Sequence, residues 1–299
     1  MYTYNDRKNF YLGEKLKNNT FVIDTPMHNI DYYNTSESAI LTIYHEPLKQ
    51  LLIKTGNAEK KILVYYGDVY YGHSTNALCI TKCRNTNDLD GVILRCFNLR
   101  WHWEKYYNRP KDILFQDKIS KIFWRGASTG TTTGHPSCPG NRFKMVETWF
   151  DKSENIDIGF SFICQNQNDY SKYVKGCCDV SEFLKYKYIL SLPGNDKDSG
   201  LQWKLNSNSV VLMPRPRATT WLMESTLIAD YHYVLISDEF EDLEDKLNWC
   251  INNDSKCLDI IKNANTFMEQ FSDKDKEEEL EMDVICTYFN KIDDKLKMT

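Results

Sequence analysis

Between residues 121 and 251 the chain alternates short runs of β-branched or aromatic residues with segments of helical spacing, and that alternation limits the fold more than any single motif. Segments 121–126, 157–163, 188–192, 209–213 and 232–237 read as strands. Segments 142–150, 181–188 with a Ser cap, 201–206 and 241–251 read as helices. Strands that take turns with helices build a mostly parallel sheet, so the fold class is α/β.

The first of these strands carries the most specific chemistry. Ile122, Phe123 and Trp124 lead into Arg125 and Gly126, then Ser128, Thr129, Gly130 and a threonine run ending at Gly134, with Arg142 at the head of the next helix. Glycines let backbone N–H groups approach an anion, hydroxyls donate to its oxygens, and a helix start adds a positive dipole end, so the stretch suits a phosphate. It lacks the lysine of a P-loop, and a polar surface loop after a buried strand is the alternative reading.

In the N-terminal half, residues 61–68 read as a buried strand ending in Gly67 and Asp68. Ligands of open α/β sheets bind outside the carboxyl ends of the strands, so Asp68 is a candidate general base, or else a turn residue bonding its own backbone. Residues 77–84 form a short strand that delivers Lys82 and Arg84 to its end, and 91–97 form another. Between them Asp88 and Asp90 spell a D-x-D that could hold a metal, although 196–198 and 273–275 show how readily that spacing recurs. Residues 99–107 are dense in aromatics, which line a sugar or base pocket or pack a core.

Pro110 and its charged neighbours at 108–112 mark a linker. Residues 1–60 read as polar, with a surface segment at 31–38; 220–227 is helix-like and carries Glu224; 258–271 is an amphipathic helix. The acidic run 273–281 reads as a solvated helix face, followed by a terminal helix over 282–297 with a stripe of Val284, Tyr288 and Ile292.

With 299 residues, 41% hydrophobic, the chain has room for two cores of ordinary size. A net charge of -5 argues against nucleic acid as a partner. No run approaches the roughly 18 apolar residues of a membrane span, and no secretory signal opens the sequence, so a soluble cytoplasmic protein is expected. Ten cysteines without a C-x-x-C and six scattered histidines point to buried reduced thiols and no metal.

Taken in order, these signals resemble glycosyltransferase family 90. The matching pieces are Gly67-Asp68; 81–84; Trp124-Arg125-Gly126 with Gly130; Arg142; Lys187-Tyr188; Gly194 with Ser199; 208–212; Trp221 with Glu224; His232-Tyr233; and Trp249 with Asn253-Asp254. The resemblance implies a GT-B architecture of two Rossmann-like domains facing a cleft: an acceptor domain over 1–115, a donor domain over 116–272, and a C-terminal helix over 273–299 that crosses back to the first domain.

It also implies an inverting transferase that needs no metal and no cofactor beyond its donor substrate, a UDP-sugar. Asp68 is the base that takes a proton from a glycan acceptor's hydroxyl. Arg125, Gly126, Ser128, Thr129, Arg142 and Ser199 serve the diphosphate, whose charge the protein must offset. Many relatives carry an Arg two residues after that serine, where this chain has Leu201, and Lys204, Arg215 or Arg217 would have to supply the charge. Glu224 is placed to accept from the ribose hydroxyls. Xylose is slightly favoured as the sugar, with glucose next. The competing readings are a metal-dependent GT-A enzyme using Asp88 and Asp90, and an inactive sugar-nucleotide-binding scaffold.

Overall fold

In the computed structural model, residues 1–33, 39–69, 74–99, 103–130, 139–165 and 169–298 are described here. Early in the chain come α1 (Tyr4–Leu12), α2 (Glu14–Lys17) and α3 (Ala39–Lys54), then β1 (Leu63–Tyr65), β2 (Cys79–Thr81), β3 (Arg84–Asn85) and β4 (Val92–Ile93). The middle holds α4 (Glu104–Tyr107), β5 (Ile119–Gly126), α5 (Arg142–Trp149), β6 (Ile156–Phe160), α6 (Val180–Phe183), β7 (Tyr186–Leu190), α7 (Leu201–Leu205) and β8 (Val210–Met213). The last elements are β9 (Ala218–Thr219), β10 (Val234–Leu235), α8 (Leu243–Ile251), α9 (Asp254–Glu269) and α10 (Lys274–Lys297).

The chain divides into two compact units. The second, Glu104–Arg217 with Ser225–Glu269, is built on a fully parallel five-stranded sheet ordered β10-β8-β7-β5-β6. Counted from β5, that is the doubly wound order 2-1-3-4-5, in which the chain reverses direction between the strands that became β5 and β7. Sequence alternation already indicated this class. Ile122, Trp124, Ile158, Tyr188, Leu190, Val210 and Leu212 are buried on one face against α5, α8 and α9, while Phe123, Phe183, Ile189 and Trp203 form a smaller core on the other. Neighbouring strand residues split between the two faces because side chains alternate along a strand.

The first unit combines Met1–Trp103, Ala218–Glu224 and Gln270–Thr299. Its parallel sheet is ordered β1-β2-β4, and β3 pairs antiparallel with β9. Helix α1, opened by a capping box of Thr3 and Asp6, packs on α10.

Several local expectations are corrected. Segment 91–97 is not one strand: after β4 the backbone turns into a 3-10 helix, Arg95–Asn98. The helix expected at 181–188 is the single turn α6, capped by Asp179 rather than Ser181, and Tyr186 already belongs to β7. Helical spacing at 220–227 does not become a helix, because Met223 sits at φ 60 and leaves only the 3-10 turn Glu224–Thr226. The polar reading of 1–60 missed α3 altogether. Of the buried thiols expected, Cys164, Cys177 and Cys178 are exposed.

The largest correction concerns the acidic run, since Glu277 and Glu281 are buried and α10 runs unbroken through both segments. They extend the stripe of Val284, Tyr288 and Ile292 backwards at helical spacing, which places them on the packed face. Among the described residues, no helix is long and apolar enough to cross a membrane.

Candidate active site

The carboxyl ends of β5 and β7 flank the point where the sheet's winding reverses, and the polar residues of the second unit concentrate there. Arg142 opens α5, whose first N–H groups are capped by Asn141. Its guanidinium is buried and donates through Nη1 to the Ala127 carbonyl at 2.9 Å and to Thr129 Oγ1 at 2.9 Å, and through Nη2 to the Leu192 carbonyl at 3.2 Å. Arg142 thus ties the loop after β5 to the loop after β7. Its Nε is buried with no hydrogen-bond partner among the described residues, an unused donor.

Glycines allow the two loops to interlock. Gly130 adopts φ 107, donates its N–H to Asn195 Oδ1 at 3.0 Å, and a Cβ there would lie 2.9 Å from the Gly194 carbonyl oxygen. A Cβ on Gly194 would lie 2.8 Å from Thr129 Oγ1 and 3.4 Å from Arg142 Nη2. Gly194→Ala should therefore push Thr129 off the guanidinium and cost about 1–3 kcal/mol in a thermal melt. A variant as stable as the natural protein would show that the loops are not interlocked here.

Behind Arg142 sits a buried ionic pair. Asp198 accepts from Lys204 Nζ at 2.5 Å and from Ser191 Oγ at 2.7 Å through one oxygen, and from the Gly200 N–H at 2.9 Å through the other. Lys204 Nζ also donates to the Leu190 carbonyl at 2.9 Å. Burial lowers the pKa of both Arg142 and Lys204, and Asp198 partly offsets the effect on each. Burial would raise the Asp198 carboxyl, but Lys204 and Arg142 outweigh it and hold it below the ordinary carboxylate range. The cluster comprises two buried cations and the nearly buried Asp198 carboxylate, with Asp196 adding a partly exposed negative charge near Arg142. Asp198 carries no role in the sequence reading, where it figured only as a chance D-x-D; its signal was the Asx turn two residues before Gly200.

Arg125 has a different setting. It donates to Asp157 Oδ1 at 2.8 Å and to the Trp124 carbonyl at 2.8 Å, and its guanidinium lies 4.6 Å from the Phe123 ring centre. Arg142 instead lies over Trp124, so the two arginines pack on opposite faces of β5. Ser128 is buried, and its hydroxyl accepts the Cys164 N–H at 2.8 Å, bracing the loop. Gly126 ends β5, and Ser199 is exposed in the turn before α7. Of the substitutes considered for the charge absent at Leu201, Lys204 is committed to Asp198, Arg217 pairs with Asp238, and Arg215 is exposed. Thr131 to Gly134 lie outside the described residues.

Asp68 and Glu224 belong to the first unit. Asp68 follows β1 and Lys82 follows β2, so both stand at the carboxyl edge of the parallel sheet, where their side chains form an ion pair. The other cation expected there, Arg84, donates to the carbonyls of Gly91 and Phe10 at 2.8 and 2.6 Å and is a structural tie. Glu224 is buried and accepts from the Thr220 N–H at 2.6 Å and the Thr220 hydroxyl at 2.8 Å. The D-x-D carboxylates are engaged as well: Asp88 accepts from the N–H groups of Thr75 and Asp90, and Asp90 from the Lys15 N–H and ammonium. Of the aromatic-dense segment 99–107, residues 100–102 lie outside the described residues, whereas Trp103 and Tyr106 are core.

Comparison with known sequences adds an independent line. Residues 98–295 match the sequence model of Glycosyl transferase family 90. The chain is 32% identical over 248 residues to the O-glucosyltransferase LpsA of Dichelobacter nodosus, covering 83% of this chain and 72% of that protein. It also resembles Uncharacterized protein 035R of Invertebrate iridescent virus 3, at 24% identity over 174 residues, which is 54% of this chain and 16% of the viral one. A shorter match, 36% over 79 residues, links it to Uncharacterized protein 027R of Frog virus 3, covering 25% of this chain and 8% of that protein.

Proposed function

Because the chain belongs to glycosyltransferase family 90, we propose that it is an inverting, metal-independent enzyme of GT-B type that moves a sugar from a UDP donor to a hydroxyl of a glycan. The observation that carries this reading is the position of Arg142 at the winding reversal between β5 and β7, the place where doubly wound sheets bind nucleotides. Its cation and the positive dipole end of α5 suit a diphosphate, with Thr129 and Ser199 at the rim. Arg125, held by Asp157, contributes charge from the other face of β5.

In the reaction the acceptor oxygen attacks the anomeric carbon, its proton passes to Asp68, and the bond to the donor oxygen breaks as UDP leaves with the electron pair. A single displacement of this kind inverts the configuration. UDP-glucose joins UDP-xylose as the first donor to test, since the relative named an O-glucosyltransferase aligns with most of the chain.

The test is thermal stabilisation by UDP, GDP, UDP-glucose and UDP-xylose, each with and without EDTA. Ligand at about 100 times its dissociation constant adds roughly 2.7 kcal/mol of stability. A UDP-selective shift that survives EDTA and vanishes in Arg142→Gln is expected. A shift that requires metal would replace this mechanism with a metal-dependent one, and no shift with any nucleotide would overturn the reading of a nucleotide-sugar donor altogether. Turnover is then read as UDP release with a panel of simple p-nitrophenyl glycosides as acceptors.

A further inference from the structure

We infer that Lys82 is a positioning residue for the reaction: its ammonium holds the Asp68 carboxylate from the inner side of the first unit and so aims it at the acceptor hydroxyl. The inference rests on the reading of Asp68 as the base. The two partners are unequally buried. The Lys82 side chain is 8% exposed and that of Asp68 27%, so the cation lies inside and the carboxylate faces outward. An ammonium this buried is costly unless it is paired, and the sequence provides its carboxylate at the edge of the neighbouring strand.

The backbone on the lysine side is well fixed. Thr81, the residue before Lys82, is paired with Tyr65 of β1 on one side and Ile93 of β4 on the other, and its Oγ1 donates to the Cys83 carbonyl at 2.9 Å across the turn that carries Lys82. The ammonium lies 5.6 Å from the centre of the Tyr44 ring, an aromatic face that favours a cation. Asp68 stands three residues past the end of β1, and the Tyr65 hydroxyl reaches its carbonyl at 3.4 Å, near the limit of a hydrogen bond. The direction of support therefore runs from lysine to aspartate. Arg84, the other cation of this edge, is spent on two backbone carbonyls and does not share the task.

A base displaced by about 1 Å loses rate on the order of 100-fold, whereas donor binding does not depend on it. Lys82→Met should lower kcat for UDP release at least tenfold, leaving the donor KM and the stabilisation by UDP unchanged. Lys82→Arg should recover part of the loss. The double variant Lys82→Met/Asp68→Asn should be no slower than Asp68→Asn alone, because the lysine acts only through the aspartate.

Wild-type kcat in Lys82→Met, or a double variant slower than Asp68→Asn by the full Lys82 factor, would overturn the inference. So would unfolding of both Lys82→Met and Lys82→Gln, since the ammonium would then be holding the fold and not the base. Wild-type turnover in Asp68→Asn would instead remove the reading of Asp68 as base, a distinct outcome from an Asp68→Asn variant that is inactive while Lys82→Met is not.

Discussion

Asp68→Asn is expected to lower turnover by about 10²- to 10⁴-fold while leaving stabilisation by UDP as it was. The amide keeps the size and shape of the carboxylate but cannot take the acceptor's proton, and a positioned base contributes that much to transfer. The residue lies in the first unit and the Arg142 cluster in the second, so the substitution removes none of the groups proposed to bind the diphosphate. UDP release and the UDP-induced shift in melting midpoint, measured on one preparation, check it. Loss of both would place Asp68 in donor binding, and loss of neither would assign proton removal to another group.

The second large effect is on stability. Glu277→Ala should destabilise the protein by about 3–5 kcal/mol, lowering the melting midpoint by several degrees or more. Glu277 accepts both Arg7 Nη1 and Nη2 at 2.6 Å and the Trp221 indole N–H at 2.5 Å, and all three side chains are buried. Arg7 also donates to the Gln270 carbonyl at 2.8 Å and stacks 4.6 Å from the Phe271 ring centre, while Tyr11 lies 3.7 Å from Trp221 in parallel. Removing the carboxylate leaves a guanidinium buried without its counter-charge and an indole N–H without its acceptor. Lys297→Ala, which breaks the exposed pair with Asp294 on the same helix, should leave the midpoint where it is. Equal effects from the two would mean that the Glu277 cluster is solvated.

The same helix shows how a legible pattern can be misread. The run from Asp273 to Glu281 is rich in charge, and charge ordinarily marks a solvated face. Glu277 and Glu281 nevertheless fall in step with Val284, Tyr288 and Ile292, and periodicity decided their burial where composition did not. Their counter-groups, Arg7 at the start of the chain and the Cys96 N–H, which donates to Glu281 at 2.5 Å, are far away in sequence, and no local spacing announces them. For α3, polar flanks hid a helix that contains Pro47.

At the site, strand β5, the Gly/Thr turn and Arg142 at a helix start were readable because each is a short-range pattern: an apolar run, a set of small residues, a cap. Asp68 at a strand end was readable for the same reason. What the sequence by itself determined is therefore the α/β class, the family, and a short set of candidate residues, since strand and helix periods and turn chemistry act over a few neighbours. Only the tertiary structure decided which charges meet: Asp198 with Lys204 behind Arg142, Asp157 with Arg125 on the other face of β5, and Lys82 with Asp68. An ion pair depends on where two chain segments are brought together, and burial then fixes which of its members are held and which face outward.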